Sequence, residues 1–182
     1  MNDLEKIASE IENCKKCGLW EIRKRTVPGE DPSNAKIVFL GQTPGRNENI
    51  QGKPFVGISG KLLNKLLESI KLKREKFFIT GVVKCHTPKN RKPNKKEIKS
   101  CIFFTLKQLE VIKPKIVALL GDVTIKALRF KGKLSEIHGE KVEMDGKIYF
   151  FTFHPAASMR FPKIRKLVEE DFRKLVKLVE KI

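Results

Sequence analysis

Four short apolar runs constrain this chain more than anything else in it: KIVFLG (36–41), KFFITGVVK (76–84), KIVALLG (115–121) and KIYFFTF (147–153). A strand that is apolar at every position has no face to show to water, so each run must be covered on both sides. Helical patterns alternate with the runs. Leu4, Ile7 and Ile11 repeat at helical spacing and should stop near CKKC. GKLLNKLLESI (60–70), residues 95–112, DVTIKALRF (122–130) and the charged segment from Lys163 onward read the same way, while VPGEDPSN marks a turn. KVEM, turning at Asp145-Gly146 into the fourth run, predicts a hairpin over 141–153. This alternation predicts an α/β fold with a parallel sheet between helical layers. The length of 182 residues suits one domain over 1–182, and neither a repeat nor a linker divides it.

Ligands of such sheets bind beyond the carboxyl ends of the strands. By that rule the functional loops are GQTPGRNENIQGKPFVG, KCHTPKNRKP, GDVT and HPAASMRFP. The first is built to hold something, yet its most prominent side chain, Gln42, is an amide that cannot take a proton. The formal net charge of +18 points to a polyanion, nucleic acid first, because a field of that sign concentrates phosphates whatever the fold. The competing reading is a lysine-rich surface of the kind hyperthermophiles use. The N-terminus, MNDLEKIASEIENC, lacks the pattern of a signal peptide, and no apolar run reaches membrane-spanning length, so the expectation is a cytoplasmic protein with no membrane partner. In a reducing compartment its four cysteines are expected to be unpaired.

Cys14 and Cys17 form a C-x-x-C pair, and Cys85 and Cys101 follow far along the chain with fifteen residues between them. Four soft ligands suit a tetrahedral metal or a cubane cluster, and their number does not separate zinc from iron–sulfur. The plainer reading is two small core cysteines and a redox or accidental pair.

Taken in order, G-x-x-P-G followed by a Glu, GKPFVG-x-SG-x-LLN, IT-x-VVKC, P-x-NR-x-P, a Cys sixteen positions after KC, and HP resemble the iron–sulfur (family four) uracil-DNA glycosylases. The resemblance runs from Cys14 to about Pro162. It implies a three-layer α/β/α sandwich around a mainly parallel four-stranded sheet, and a [4Fe-4S] cluster on Cys14, Cys17, Cys85 and Cys101. It also implies excision of uracil from DNA. A base inside a duplex is out of reach, so it must be extruded into a pocket. Phe55 matches the ring on which that base stacks, with Gly41, Gln42 and Gly81 around it. His154 matches the donor to the departing base, on which negative charge grows as the bond breaks. Met159 or Arg160 would wedge into the gap in the duplex. Ser59 would touch DNA, and Arg91, Lys92 and Lys95 would contact phosphates. His86 and His138 read as surface or structural residues.

Two departures stand out. Gln42 replaces the family's usual glutamate, leaving Glu48 as the carboxylate that can prepare water, with Asn47 and Asn90 as further water-positioning residues. Gly81 replaces an asparagine that pairs with the uracil edge; it removes the main discrimination against cytosine and leaves space. Both changes resemble family five, whose members accept a wider set of deaminated bases, and HPAA in place of HPS removes a hydroxyl near His154. The expected protein is a monomeric DNA glycosylase for uracil, with hypoxanthine and xanthine as further candidates. The alternatives are a non-catalytic iron–sulfur protein that binds damaged DNA, and a zinc-stabilised nucleic-acid-binding module or nuclease. The latter lacks an acidic cluster for two divalent ions. A contact with a polymerase clamp is a further partner to test, although the final KLVEKI shows no obvious clamp-binding tail.

Overall fold

The computed structural model describes residues 2–30 and 32–182; Met1, and Asp31 within the expected VPGEDPSN turn, lie outside it. In chain order the elements are α1 (Asp3–Glu12), β1 (Ile37–Gly41), α2 (Arg46–Gln51), α3 (Ile58–Ser69), β2 (Phe78–Gly81), α4 (Lys95–Ile112), β3 (Ile116–Leu120), α5 (Asp122–Ala127), α6 (Leu134–Ile137), β4 (Lys141–Met144), β5 (Lys147–Thr152), α7 (Pro155–Arg160) and α8 (Pro162–Val179). The sheet order is β2-β1-β3-β5-β4. The first four strands run parallel, and β4 pairs antiparallel with β5. The sheet therefore has five strands rather than four, because the outer arm of the expected hairpin joins it as an edge. All four β4 residues are exposed, so this strand has no apolar run to announce it.

Side chains alternate across a strand, and here both faces are buried. Val38, Leu40, Val117, Leu119, Tyr149 and Phe151 face one core, where α1 contributes Leu4, Ile7 and Ile11 and α4 contributes Phe104, Leu109 and Ile112. Ile37, Phe39, Ile116, Ala118, Leu120 and Phe150 face the other, against Leu63, Leu66 and Leu67 of α3 and Val168, Phe172 and Leu175 of α8. Phe39 meets Phe77 edge-on at 5.3 Å and stacks on Phe172 at 6.1 Å. The result is an α/β/α sandwich. Asn94 caps α4, accepting from the Glu97 N–H while the Glu97 carboxylate accepts from the Asn94 N–H, which fixes where that helix starts.

β2 is shorter than the apolar run that predicted it. Beyond Gly81 the Val82 and Val83 N–H groups still donate to the Gly41 and Gln42 carbonyls, at 2.9 and 3.0 Å, but the chain then turns inward to place Lys84 and Cys85. Among the described residues no helix is long and apolar enough to cross a membrane.

Candidate active site

β1 and β2 end side by side, with Gly41 opposite Gly81 in register. A Cβ at Gly41 would sit 2.7 Å from Cε2 of Phe55, so glycine there lets the aromatic ring lie against the strand end. Phe55 is held in a left-handed conformation, φ 51°, which an L-residue adopts only at a cost of about 1–2 kcal/mol. The surroundings enforce it. Arg74 donates to the Phe55 and Pro54 carbonyls at 3.1 and 2.6 Å and to Oδ1 of Asn64 at 2.9 Å, and pairs with Glu30 at 2.8 Å. A Cβ at Gly60 would fall 1.8 Å from the Phe55 carbonyl oxygen, so any other residue would evict this turn. Sequence reasoning missed Arg74. It is one of 39 lysines and arginines, and no local signal sets it apart.

The Phe55 ring packs against the His154 imidazole, with centroids 5.5 Å apart and planes inclined by 26°. His154 caps α7, its Nδ1 accepting the Ala156 N–H at 3.1 Å. Nδ1 therefore carries the lone pair, and in the neutral ring the proton sits on Nε2. Burial pulls the imidazole pKa down from 6.5 to about 4, against the opposing pull of the Glu48 carboxylate. Gly121 backs the residue: a Cβ there would lie 3.2 Å from the His154 Cβ. The site thus presents a neutral N–H donor beside an aromatic ring.

Glu48 is 6% exposed on α2, and its Oε1 accepts the Val56 and Gly57 N–H groups at 2.9 and 2.7 Å. It braces the loop that carries Phe55. Its Oε2 lies 2.6 Å from where a Gly45 Cβ would be, and Oδ1 of Asn90 lies 3.9 Å from the same point, so a carboxylate oxygen and an amide oxygen flank one glycine corner. Asn90 and Lys89 both adopt left-handed conformations, in a loop tied by the Thr87 hydroxyl donating to the Arg91 carbonyl at 2.6 Å. His86 lies 3.0 Å through Nδ1 from the Pro44 carbonyl and joins two site loops, while His138 pairs with Asp171 at 2.9 Å, away from the site. Gln42 is half-buried at the end of β1. The space expected beside Gly81 is small: a Cβ would be 3.0 Å from the Val83 carbonyl oxygen and 3.3 Å from that of Gln42.

Among the DNA candidates, Met159 is 49% exposed, and Arg160, Lys92 and Lys95 are exposed as well. Ser59 is half-buried in the first turn of α3. Arg91 is engaged fork to fork with Glu97, at 2.6 and 2.9 Å, an arrangement that holds the start of α4. Phe161, which sequence reasoning passed over, is 56% exposed directly after Arg160.

The four cysteines line one cavity, together with Ile11, Trp20, Arg23 and Phe104. Burial pushes the Cys101 thiol up to about 12 and raises that of Cys85, although Lys84 acts against the first shift and Arg23 against the second. Arg23 donates to the Cys85 sulfur at 3.4 Å and to the Cys14 carbonyl at 3.0 Å, and the Lys84 N–H donates to the Cys101 sulfur at 3.3 Å. Lys84 is itself fully buried, donating to the Thr80 hydroxyl and the Gln108 side-chain carbonyl at 2.6 and 2.7 Å, and burial lowers its pKa to about 7. Among the described residues no three cysteine, histidine or acidic side chains converge closely enough for a single metal ion. An all-sulfur donor set lining one cavity is the chemistry that a single zinc ion and an iron–sulfur cluster both take.

Fold and site together define an α/β/α protein whose strand-end loops bring an aromatic ring, a neutral imidazole and a buried carboxylate to the carboxyl edge of its sheet. Residues 28–178 match the uracil DNA glycosylase superfamily, and the chain belongs to that family. It is 44% identical over 190 residues to the type-4 uracil-DNA glycosylase of Saccharolobus solfataricus, covering 96% of this chain and 86% of that one. To the type-4 enzyme of Archaeoglobus fulgidus it is 38% identical over 195 residues, 100% and 96% of the two chains. The type-5 uracil-DNA glycosylase of Pyrobaculum aerophilum matches at 28% over 166 residues, 81% and 73% of the two chains.

Proposed function

We propose that the protein is a DNA repair glycosylase that extrudes a deaminated base and hydrolyses its bond to the sugar, leaving an abasic site. The observation that carries this reading is His154 beside Phe55, with Nδ1 held by the Ala156 N–H so that Nε2 donates. The base stacks on Phe55, and Nε2–H bonds to its carbonyl oxygen. As the C1′–N bond breaks, the electron pair leaves with the base, and the donor stabilises this growing charge more in the transition state than before it. The sugar is left oxocarbenium-like, and a water adds to C1′ while its proton passes through solvent to the departing base anion, which leaves neutral. Oε2 of Glu48 and the Asn90 amide, which face one corner, position that water; Gln42 cannot deprotonate it. The similarity to type-4 uracil-DNA glycosylases makes uracil the first substrate, and because Gly81 offers no side chain to read the base edge, hypoxanthine and xanthine are the next.

Cys14, Cys17, Cys85 and Cys101 would hold a [4Fe-4S] cluster, whose iron would supply the positive charge that four thiolates, two of them buried, require. Arg23 and the Lys84 backbone N–H would hydrogen-bond its ligands. Lys92 and Lys95 would meet phosphates, Ser59 would approach the strand, and Met159 or Arg160 would fill the gap in the duplex. Site residues drawn from one chain suit a monomer, and a clamp contact is a further partner to test.

A second reading, a sensor that binds damaged DNA without cutting it, draws on Gln42 and on the double engagement of the Glu48 carboxylate by backbone. Single-turnover cleavage of matched oligonucleotides carrying uracil, hypoxanthine or xanthine, with alkali to reveal abasic sites, separates the two. Product from uracil, reduced at least a hundredfold in His154→Ala, is expected. Tight binding to all three without product would establish the sensor instead.

A further inference from the structure

Helix α2 has two buried side chains in succession that hold different parts of the molecule. Glu48 holds the Val56 and Gly57 amides of the base-pocket loop. Asn49, also 6% exposed, accepts through Oδ1 from the Lys24 and Arg25 N–H groups at 2.9 and 3.4 Å. On that side of α2 lies an open groove of about 530 Å³ that includes Lys24, Arg25, Thr26, Gln51 and Lys53 in its lining. Lys24, Arg25 and Lys53 are exposed, and none of the three forms a recorded ion pair among the described residues. Among the described residues Glu12 is the one acid in the lining, and the Arg23 guanidinium there is already engaged with the cysteine loop. Gly52, at φ 74°, closes α2 so near to Arg25 that a Cβ would lie 3.4 Å from the Arg25 Cδ.

We propose that this groove grips the phosphate backbone of the DNA beside the lesion, in a register set by α2 relative to the base pocket. The proposal rests on the glycosylase reading for the identity of the polyanion. Three cations without an ion pair among the described residues, along an open channel whose buried polar lining is Thr26, suit a continuous phosphate chain rather than a small anion that must be enclosed. Because Glu48 and Asn49 are neighbours on a six-residue helix, the cationic segment and the Phe55 loop are tied to the same rigid piece. Phosphates held in the groove would therefore meet the pocket at one fixed offset, which helps an enzyme that must pull a single nucleotide out of the stack.

The test is the salt dependence of binding to lesion-containing duplex, measured on the full chain. Each lost phosphate contact lowers the slope of log K against log salt by about 0.9, so Lys24→Ala/Arg25→Ala/Lys53→Ala should flatten it by roughly two to three. Arg173→Ala/Lys177→Ala/Lys181→Ala, which removes the same charge from the last helix and the residues just after it, should change the slope by less than one. Equal slope changes in the two variants would overturn the groove, as would a change seen with double-stranded RNA but not with DNA. If the unsubstituted protein cleaves no lesion while the slopes still differ, the glycosylase reading fails and the groove stands. Asn49→Ala keeps every charge but frees the segment, and it should weaken binding at low salt several-fold; full retention of affinity would remove the register from the proposal.

Discussion

His154 acts as a neutral ring, and its titration fixes how the protein answers to acid. The unfolded chain protonates this residue near its ordinary value of 6.5 and the folded chain only near 4, so between those values the unfolded state binds more protons. Stability is then fully present above about 6.5 and falls as the pH drops towards 4. The catalytic consequence is separate: single-turnover rates should be flat from pH 8 to about 5 and fall only near 4, where the ring gains its second proton. A decline centred on pH 6.5 would mean that the imidazole is not held in this environment. The position of His154 was legible in the sequence because an apolar strand ending in His-Pro has one place to go. Its tautomer was not, since that depends on the Ala156 N–H, which any residue other than proline would supply.

At the level of elements, the segment from β1 through α3 is held from outside itself. Arg74 reaches the Pro54 and Phe55 carbonyls, Asn64 and Glu30 from beyond the end of α3, so Arg74→Ala leaves two carbonyls and a half-buried carboxylate without their partner. The expected cost is about 2 kcal/mol in urea unfolding, together with a rise in KM for lesion DNA as Phe55 relaxes from its left-handed conformation. Arg74→Lys should restore the charge pair but not the branched contacts, and so recover little of the KM. Helix boundaries such as that of α4 were readable because the Asn94–Glu97 box is local. β4 was readable as a hairpin arm from the Asp145-Gly146 turn, but not as a fifth strand of the sheet, because its four exposed residues carry no core-facing signal. The tight surroundings of Gly81 were equally hidden, being made by the Gln42 carbonyl of another segment and by the chain's own turn at Val83.

For the whole molecule, the cysteine cavity ties together three stretches far apart in sequence: the end of α1, the exit from β2 and the middle of α4. A cluster held there, as proposed above, would remove much freedom from the unfolded chain, so its binding energy would also be folding energy. Cys101→Ser should lower iron per chain and the brown absorbance together, and reduce Tm by about 5–10 °C. A colourless, zinc-containing protein with unchanged Tm would contradict the assignment. That four cysteines belong to one site was suggested by count and spacing, whereas the guanidinium of Arg23 and the buried Lys84 around them came only with the fold.

The turn at Asp145-Gly146 lies at the end of the sheet opposite every loop that builds the pocket, because β5 starts there and finishes at His154. Both of its residues are left-handed, at φ 51° and 70°, and a Cβ added at Gly146 would meet nothing within 4 Å. This hairpin is therefore a natural handle: a dye, a surface tether or a fused partner attached at its tip would project away from bound DNA, and excision could be watched on single anchored molecules without obstructing the substrate.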